Sequence, residues 1–283
     1  MNNIIHFCHH KTGTVLFKNF LTALAEKLNE EDLFTLDQDC HSITDYSPCQ
    51  KACTPEPNTQ LARIKVCLPD LTEDSSRYIL KQDQPSIINF SLLDFDKNSH
   101  LITHSVRDPR DMLISGYFYH KKCTQELEPW VFDAQQEECF PRYWLREKSE
   151  EANRAYDETI KKYLLPAKGL TKQEALNSMK KEDALVYEMM VLMHESYKRM
   201  YYWNIAKKEA IREGTLIESR IKEIKFEQVM EDFDSSIIEL LNFYKIDKTM
   251  HDSVLEKARD FDTASWSKKQ LKEDSHANFK YKK

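Results

Sequence analysis

Residues 9–14 read His9-His10-Lys11-Thr12-Gly13-Thr14. Before them stands the apolar run Ile4-Ile5-His6-Phe7-Cys8. After them Leu16, Phe20, Leu21, Leu24 and Leu28 recur at helical spacing. Strand, polar turn and amphipathic helix within thirty residues is the opening of an α/β fold. The turn also has chemistry of its own. A helix N-terminus offers unpaired N–H groups and a partial positive charge. Gly13 lets the backbone come close to a ligand, Lys11 adds a full charge, and Thr12 and Thr14 add hydroxyls. Such a loop suits a phosphate-sized anion. The competing reading is a tight turn with an exposed lysine. It loses weight because the chain has only four glycines in 283 residues, and one is here. The loop is not G-x-x-x-x-G-K-[ST], since Lys11 precedes its glycine.

A second stretch has the same grammar. Leu101 to Val106 predicts a buried strand. Asp108-Pro109-Arg110-Asp111 then starts a helix, with Asp at the N-cap, Pro at the first position and Asp at the third. Arg107 falls at the carboxyl end of the strand, where open α/β sheets bind ligands. Ser115 lies two turns into the helix. A phosphate between them could take a fork of bonds from Arg107 and one from Ser115. The alternative is a salt-bridged arginine and a helix-surface serine.

Elsewhere the chain is ordinary for a globular protein, with 41% hydrophobic and 31% charged residues. A net charge of −6 disfavours a nucleic-acid coat. There is no apolar run of about 18 residues and no leader pattern, so the expectation is a cytoplasmic protein without a membrane segment. Seven cysteines, an odd number, form no framework, and Cys49-x-x-x-Cys53 lacks a second pair at zinc spacing. No metal is expected. Residues 37–62 carry Pro48, Pro55 and Pro57 and read as a loop or lid, and 121–150 as irregular. Both are placed as substrate loops. Residues 64–68 and 86–90 are candidate strands. Helices are expected over 151–165, 172–212 and 227–244, a strand over 220–226, and a weakly patterned tail over 265–283. The sum is one domain, 1–283: a mainly parallel sheet flanked by helices, with a helix-rich second half.

The order strand–KTGT–helix, then strand–RDPRDxxxSGY–helix, resembles the PAPS-dependent sulfotransferases, whose fold is akin to that of P-loop NTPases. These enzymes transfer a sulfuryl group from 3′-phosphoadenosine 5′-phosphosulfate (PAPS) to an acceptor oxygen or nitrogen. Ile224-Lys225-Phe226-Glu227-Gln228 is similar to that family's strand-to-helix "YED" segment, with Phe226 at the tyrosine. The separations along the chain suit microbial members. The resemblance implies that Lys11, Thr12, Gly13, Thr14 and Val15 hold the phosphosulfate, with Lys11 also stabilising the departing phosphate. It implies that Arg107 and Ser115 clamp the 3′-phosphate and that Phe226 contacts the adenine side. Ser265 and Trp266 fall where the family has a hydroxyl and an adenine-contacting aromatic. The family's closing R-K-G segment is absent. Lys280 or Lys282 stands in its place, as a point charge rather than a fork. The general base stays open among His10, His41, His120 and Asp94, and a histidine titrates nearest working pH. The implied acceptor is a small molecule such as a natural product, without nucleic acid or membrane. A phosphoryl-transfer enzyme and a non-catalytic nucleotide-binding relative are the rival readings. Oligomeric state is not readable.

Overall fold

The computed structural model describes residues 3–28, 34–39, 78–83, 100–124, 129–132 and 150–262. In chain order it begins with β1 (Asn3–Cys8), α1 (Thr14–Leu28), β2 (Phe34–Asp39), β3 (Tyr78–Asp83), β4 (His100–Val106) and α2 (Pro109–Lys122). Then come α3 (Glu150–Thr159), α4 (Lys172–Ser178), α5 (Lys181–Leu192), α6 (Lys198–Arg212), β5 (Ile221–Lys225), α7 (Phe226–Glu231), α8 (Phe233–Phe243) and α9 (Lys248–Arg259). The chain divides into two compact units. The described residues between 3 and 108 and between 199 and 262 belong to the first, and those between 109 and 198 to the second.

The first unit is built on a sheet of order β2-β3-β1-β4-β5 with every pairing parallel. β1 and β4 lie in the middle, covered on both faces, which is why they are the apolar strands. Their side chains alternate. Ile4 and Leu101 join a core with Phe17, Phe20, Leu21 and Leu24 of α1 and Ile237 and Leu240 of α8. Ile5, Phe7 and Ile102 face the other way, onto Trp203 and Ala210 of α6. From β1 the chain runs toward the β2 edge, and from β4 toward the β5 edge. The sheet's connections therefore part between the carboxyl ends of β1 and β4, the place where open parallel sheets form a crevice.

The second unit packs α2 against α4 and α5. Its apolar core includes Tyr117, Leu164, Leu176, Tyr187 and Met190. A capping box opens α4: Glu174 N donates to the Thr171 hydroxyl at 3.1 Å, and Thr171 N donates to Glu174 Oε2 at 2.7 Å.

The expected strands at 4–8, 101–106 and 220–226 are present, as are the helices after the first two. Three expectations are corrected. Residues 37–39 belong to β2 rather than a loop: Phe-Thr-Leu-Asp-Gln-Asp has no apolar run, and pairing with β3 makes it a strand. The helix expected over 172–212 is three, parted at Met179–Lys180 and by a π turn at Met193–Tyr197. The helix expected over 227–244 breaks at Asp232, whose carboxylate accepts from Ser235 N at 3.2 Å and caps α8. Of the irregular stretch at 121–150, Lys121 and Lys122 finish α2 and Pro129–Phe132 form a 3-10 turn. The remainder of the two substrate loops, the candidate strands at 64–68 and 86–90 and the tail lie outside the described residues. Among those described, no helix is long and apolar enough to cross a membrane.

Candidate anion-binding site

The loop after β1 turns through two left-handed residues, Lys11 (φ 65°) and Gly13 (φ 98°). Between them Thr12 is wholly buried and knots the loop. Its hydroxyl donates to the His9 carbonyl at 2.8 Å and accepts from His9 N at 2.8 Å, while Thr12 N donates to the same carbonyl at 3.0 Å. Ser105 Oγ of β4 lies 3.0 Å from it. Thr12 therefore shapes the loop from inside. The Thr14 hydroxyl, partly exposed, also donates to His9 O, at 3.3 Å. The Gly13 carbonyl accepts from Phe17 N at 2.9 Å, so the helix starts there. The N–H groups of Thr14, Val15 and Leu16 precede the first intrahelical bond and face out at the positive end of α1. Val15 is exposed, and Lys11 and His10 are half-buried at the loop's surface.

Two neighbouring strand ends meet this loop. Arg107, just past β4, donates from Nη1 to the Lys11 carbonyl at 3.0 Å. Its guanidinium lies over the Phe226 ring, 4.6 Å from the centroid, and its side chain is only 12% exposed. Phe226, just past β5, packs against Gly13. A Cβ on Gly13 would sit 2.7 Å from that ring. The glycine is thus demanded by its φ and by Phe226 together, a reason beyond the close ligand approach read from sequence. Glu227 closes the group. Its Oε1 accepts from Asp108 N at 2.9 Å and stands 4.0 Å from Arg107 Nε. Sequence reasoning gave Glu227 no role, although it directly follows Phe226.

Under the loop, on the face away from α1, His9 and His104 meet. Their Nε2 atoms are 2.9 Å apart and both rings are wholly buried. His104 also stacks on Trp203 of α6, centroids 3.7 Å apart. Burial, with His9, Lys207 and His6 nearby, holds its pKa well below the ordinary histidine value. On the opposite face His6 Nδ1 is 2.8 Å from Thr103 Oγ1, which is 2.6 Å from the Tyr244 hydroxyl. Burial raises the pKa of that phenol. Neither histidine contact announces itself in the sequence: His6 and His104 are polar interruptions of apolar strands, and His9 begins the loop.

The structure thus brings Lys11, Thr12, Gly13, Thr14, Val15, Arg107 and Phe226 to one end of the sheet. Ser115 stands on α2, in the second unit, half-buried. His120, one of the possible bases, is wholly buried in that unit, with Nδ1 2.8 Å from Glu188 Oε1. His41, Asp94, Ser265, Trp266, Lys280 and Lys282 lie outside the described residues.

No protein-family model matches the chain, and no curated protein matches it in sequence. Among solved structures it is similar to the mouse sulfotransferase SULT7A1 complexed with PAP. The identity is 11% and the TM-score 0.41, over 95% of this chain and 69% of that one.

Proposed function

We propose that this protein is a metal-independent sulfotransferase that moves a sulfuryl group from PAPS to a hydroxyl or amine of a small-molecule acceptor. One observation carries the reading. A lysine-bearing loop at a helix N-terminus, an arginine and an aromatic ring arrive from three adjacent parallel strands and touch one another at the sheet's crevice. The donor set fits the cofactor's two anionic ends: outward N–H groups and Lys11 for one, and a planar guanidinium braced on a ring for the other.

Lys11, Thr14, Val15 and the α1 N-terminus would hold the phosphosulfate. Arg107 would hold the 3′-phosphate, and Phe226 with Trp266 would flank the adenine. The bound cofactor supplies an electrophilic sulfuryl group on a phosphate leaving group. Lys11 and the helix N-terminus oppose the negative charge that grows on that phosphate. His10, beside Lys11, and His41 are the proposed acceptors of the proton that the attacking hydroxyl or amine gives up. The fixed donors need no metal ion to neutralise the charge. A cytoplasmic setting and a natural-product acceptor complete the proposal.

Calorimetric titration with 3′-phosphoadenosine 5′-phosphate in EDTA, with ATP as comparator, tests it on wild type and Arg107→Ala. Tight metal-free binding that collapses in the variant is expected. No binding of that nucleotide, with ATP bound once magnesium is added, would replace the proposal with phosphoryl transfer. No binding of either would remove it.

A further inference from the structure

The His9–His104 contact has no part in the chemistry above, yet it lies directly beneath the loop. Two buried imidazoles with Nε2 atoms 2.9 Å apart share one hydrogen bond, so one donates and the other accepts. His104 Nδ1 is buried without a hydrogen-bond partner. Whichever ring carries the shared proton, the bond ties β4 to the first residue of the loop. Its ring is fixed in plane by the stack on Trp203. Among the described residues no three His, Cys, Asp or Glu side chains are grouped to hold a metal ion, which leaves the pair as a hydrogen bond.

What the bond fixes is His9, and His9 is the hub of the loop. Its carbonyl takes bonds from Thr12 N, the Thr12 hydroxyl and the Thr14 hydroxyl, and its N–H gives one to the Thr12 hydroxyl. All four set the turn that aims the α1 N-terminus and Lys11. We propose that His104 is a positioning residue: by anchoring the His9 ring to β4 it holds the anion-binding loop in its bound-ready shape. The consequence for ligand rests on the site reading above, whereas the consequence for the loop does not.

The test is amide hydrogen exchange at Thr12, without ligand, in wild type, His104→Phe, His104→Asn and His104→Gln. The Ile5 and Ile102 amides serve as controls for the sheet. Phe keeps the stack and loses the bonding nitrogen. Asn places its amide near the unpartnered Nδ1, short of His9. Gln places its amide near Nε2 and restores the bond. Thr12 exchange is expected to rise about tenfold in the Phe and Asn variants, the equivalent of one net hydrogen bond, and to stay near wild type in the Gln variant. Affinity for 3′-phosphoadenosine 5′-phosphate should follow the same order. If His104→Phe loses protection at Ile102 as well, it has unfolded, and the Asn–Gln contrast decides. Equal Thr12 exchange in Asn and Gln variants overturns the proposal. The expected exchange pattern with no nucleotide binding to wild type would leave the anchor in place and remove the sulfotransferase reading. Normal binding with flat exchange would do the reverse.

Discussion

Gly13 shows how much one residue can be asked to do. Its φ of 98° is closed to side chains, and a Cβ would press on the Phe226 ring at 2.7 Å and on Phe17 at 3.1 Å. The ring cannot simply step aside, because the Arg107 guanidinium covers it. Gly13→Ala should therefore cost about 1–2 kcal/mol for the backbone alone, and more for the overlap. Urea denaturation will show it. Shortening the ring with Phe226→Leu should recover only the overlap, so the double variant is destabilised by less than the sum of the singles. Lys11 presents the opposite case. It holds φ at 65° without being glycine, a strain of the kind found at working sites. Lys11→Ala should lower turnover by 10²–10³-fold, about 2.7–4 kcal/mol of barrier, while leaving the melting temperature almost unmoved. Steady-state kinetics beside thermal melts separate the two effects. Both residues stand out in the sequence, since a lysine and one of four glycines share a five-residue turn. Phe226 as the glycine's neighbour does not, because that contact is made across more than two hundred residues.

At the scale of elements, α2 and α5 are tied by charge in a place that ordinary packing would fill with apolar groups. Glu188 is wholly buried. Lys172 Nζ, equally buried, lies 3.2 Å from its Oε2, and His120 Nδ1 lies 2.8 Å from its Oε1. Gly116 makes the approach possible, since a Cβ there would sit 2.6 Å from Glu188 Oε1. That contact accounts for a glycine inside a helix, where it costs about 1 kcal/mol against alanine. Glu188→Ala removes the carboxylate facing the buried Lys172 ammonium and should destabilise by about 3–5 kcal/mol. Pairing it with Lys172→Met should return much of that loss, which urea midpoints of the single and double variants will report. The sequence reads well wherever local signals act: Asp108-Pro109 begins α2 and alternation marks β5. It fails where partners are remote. β2 is polar and becomes a strand only through β3, and Lys172 sits in a charged stretch that reads as surface. The same holds for the site: its loop is local and visible, whereas the Glu227 contact, the His9–His104 pair and the His6–Thr103 bond depend on strand order.

Across the molecule, the sheet's centre carries a pH liability. His6, His9, His100 and His104 of β1, β4 and the adjoining loop are all buried. For His104 the direction of the shift is clear: burial first, then His9, Lys207 and His6, depress its pKa. Glu223 lies opposite on β5 but pairs with Lys207 at 3.2 Å, at the exposed edge. The unfolded chain has an ordinary histidine titrating near about 6.5. Above that value neither state is protonated, and the folded state keeps its full stability. As pH falls below it, the unfolded chain binds a proton that folded His104 refuses, and stability declines. One such proton is worth about 1.4 kcal/mol per pH unit until the folded pKa is reached. Between pH 7 and pH 5 the protein should therefore lose stability, read as a falling urea midpoint. The His104→Gln variant keeps the bond to His9 and removes the titrating ring, so its midpoint should fall less steeply. Parallel slopes for the two proteins would place the acid sensitivity elsewhere in the fold. A shallower slope would show that the residue holding the loop in place also sets the lower pH limit at which the sheet can carry it.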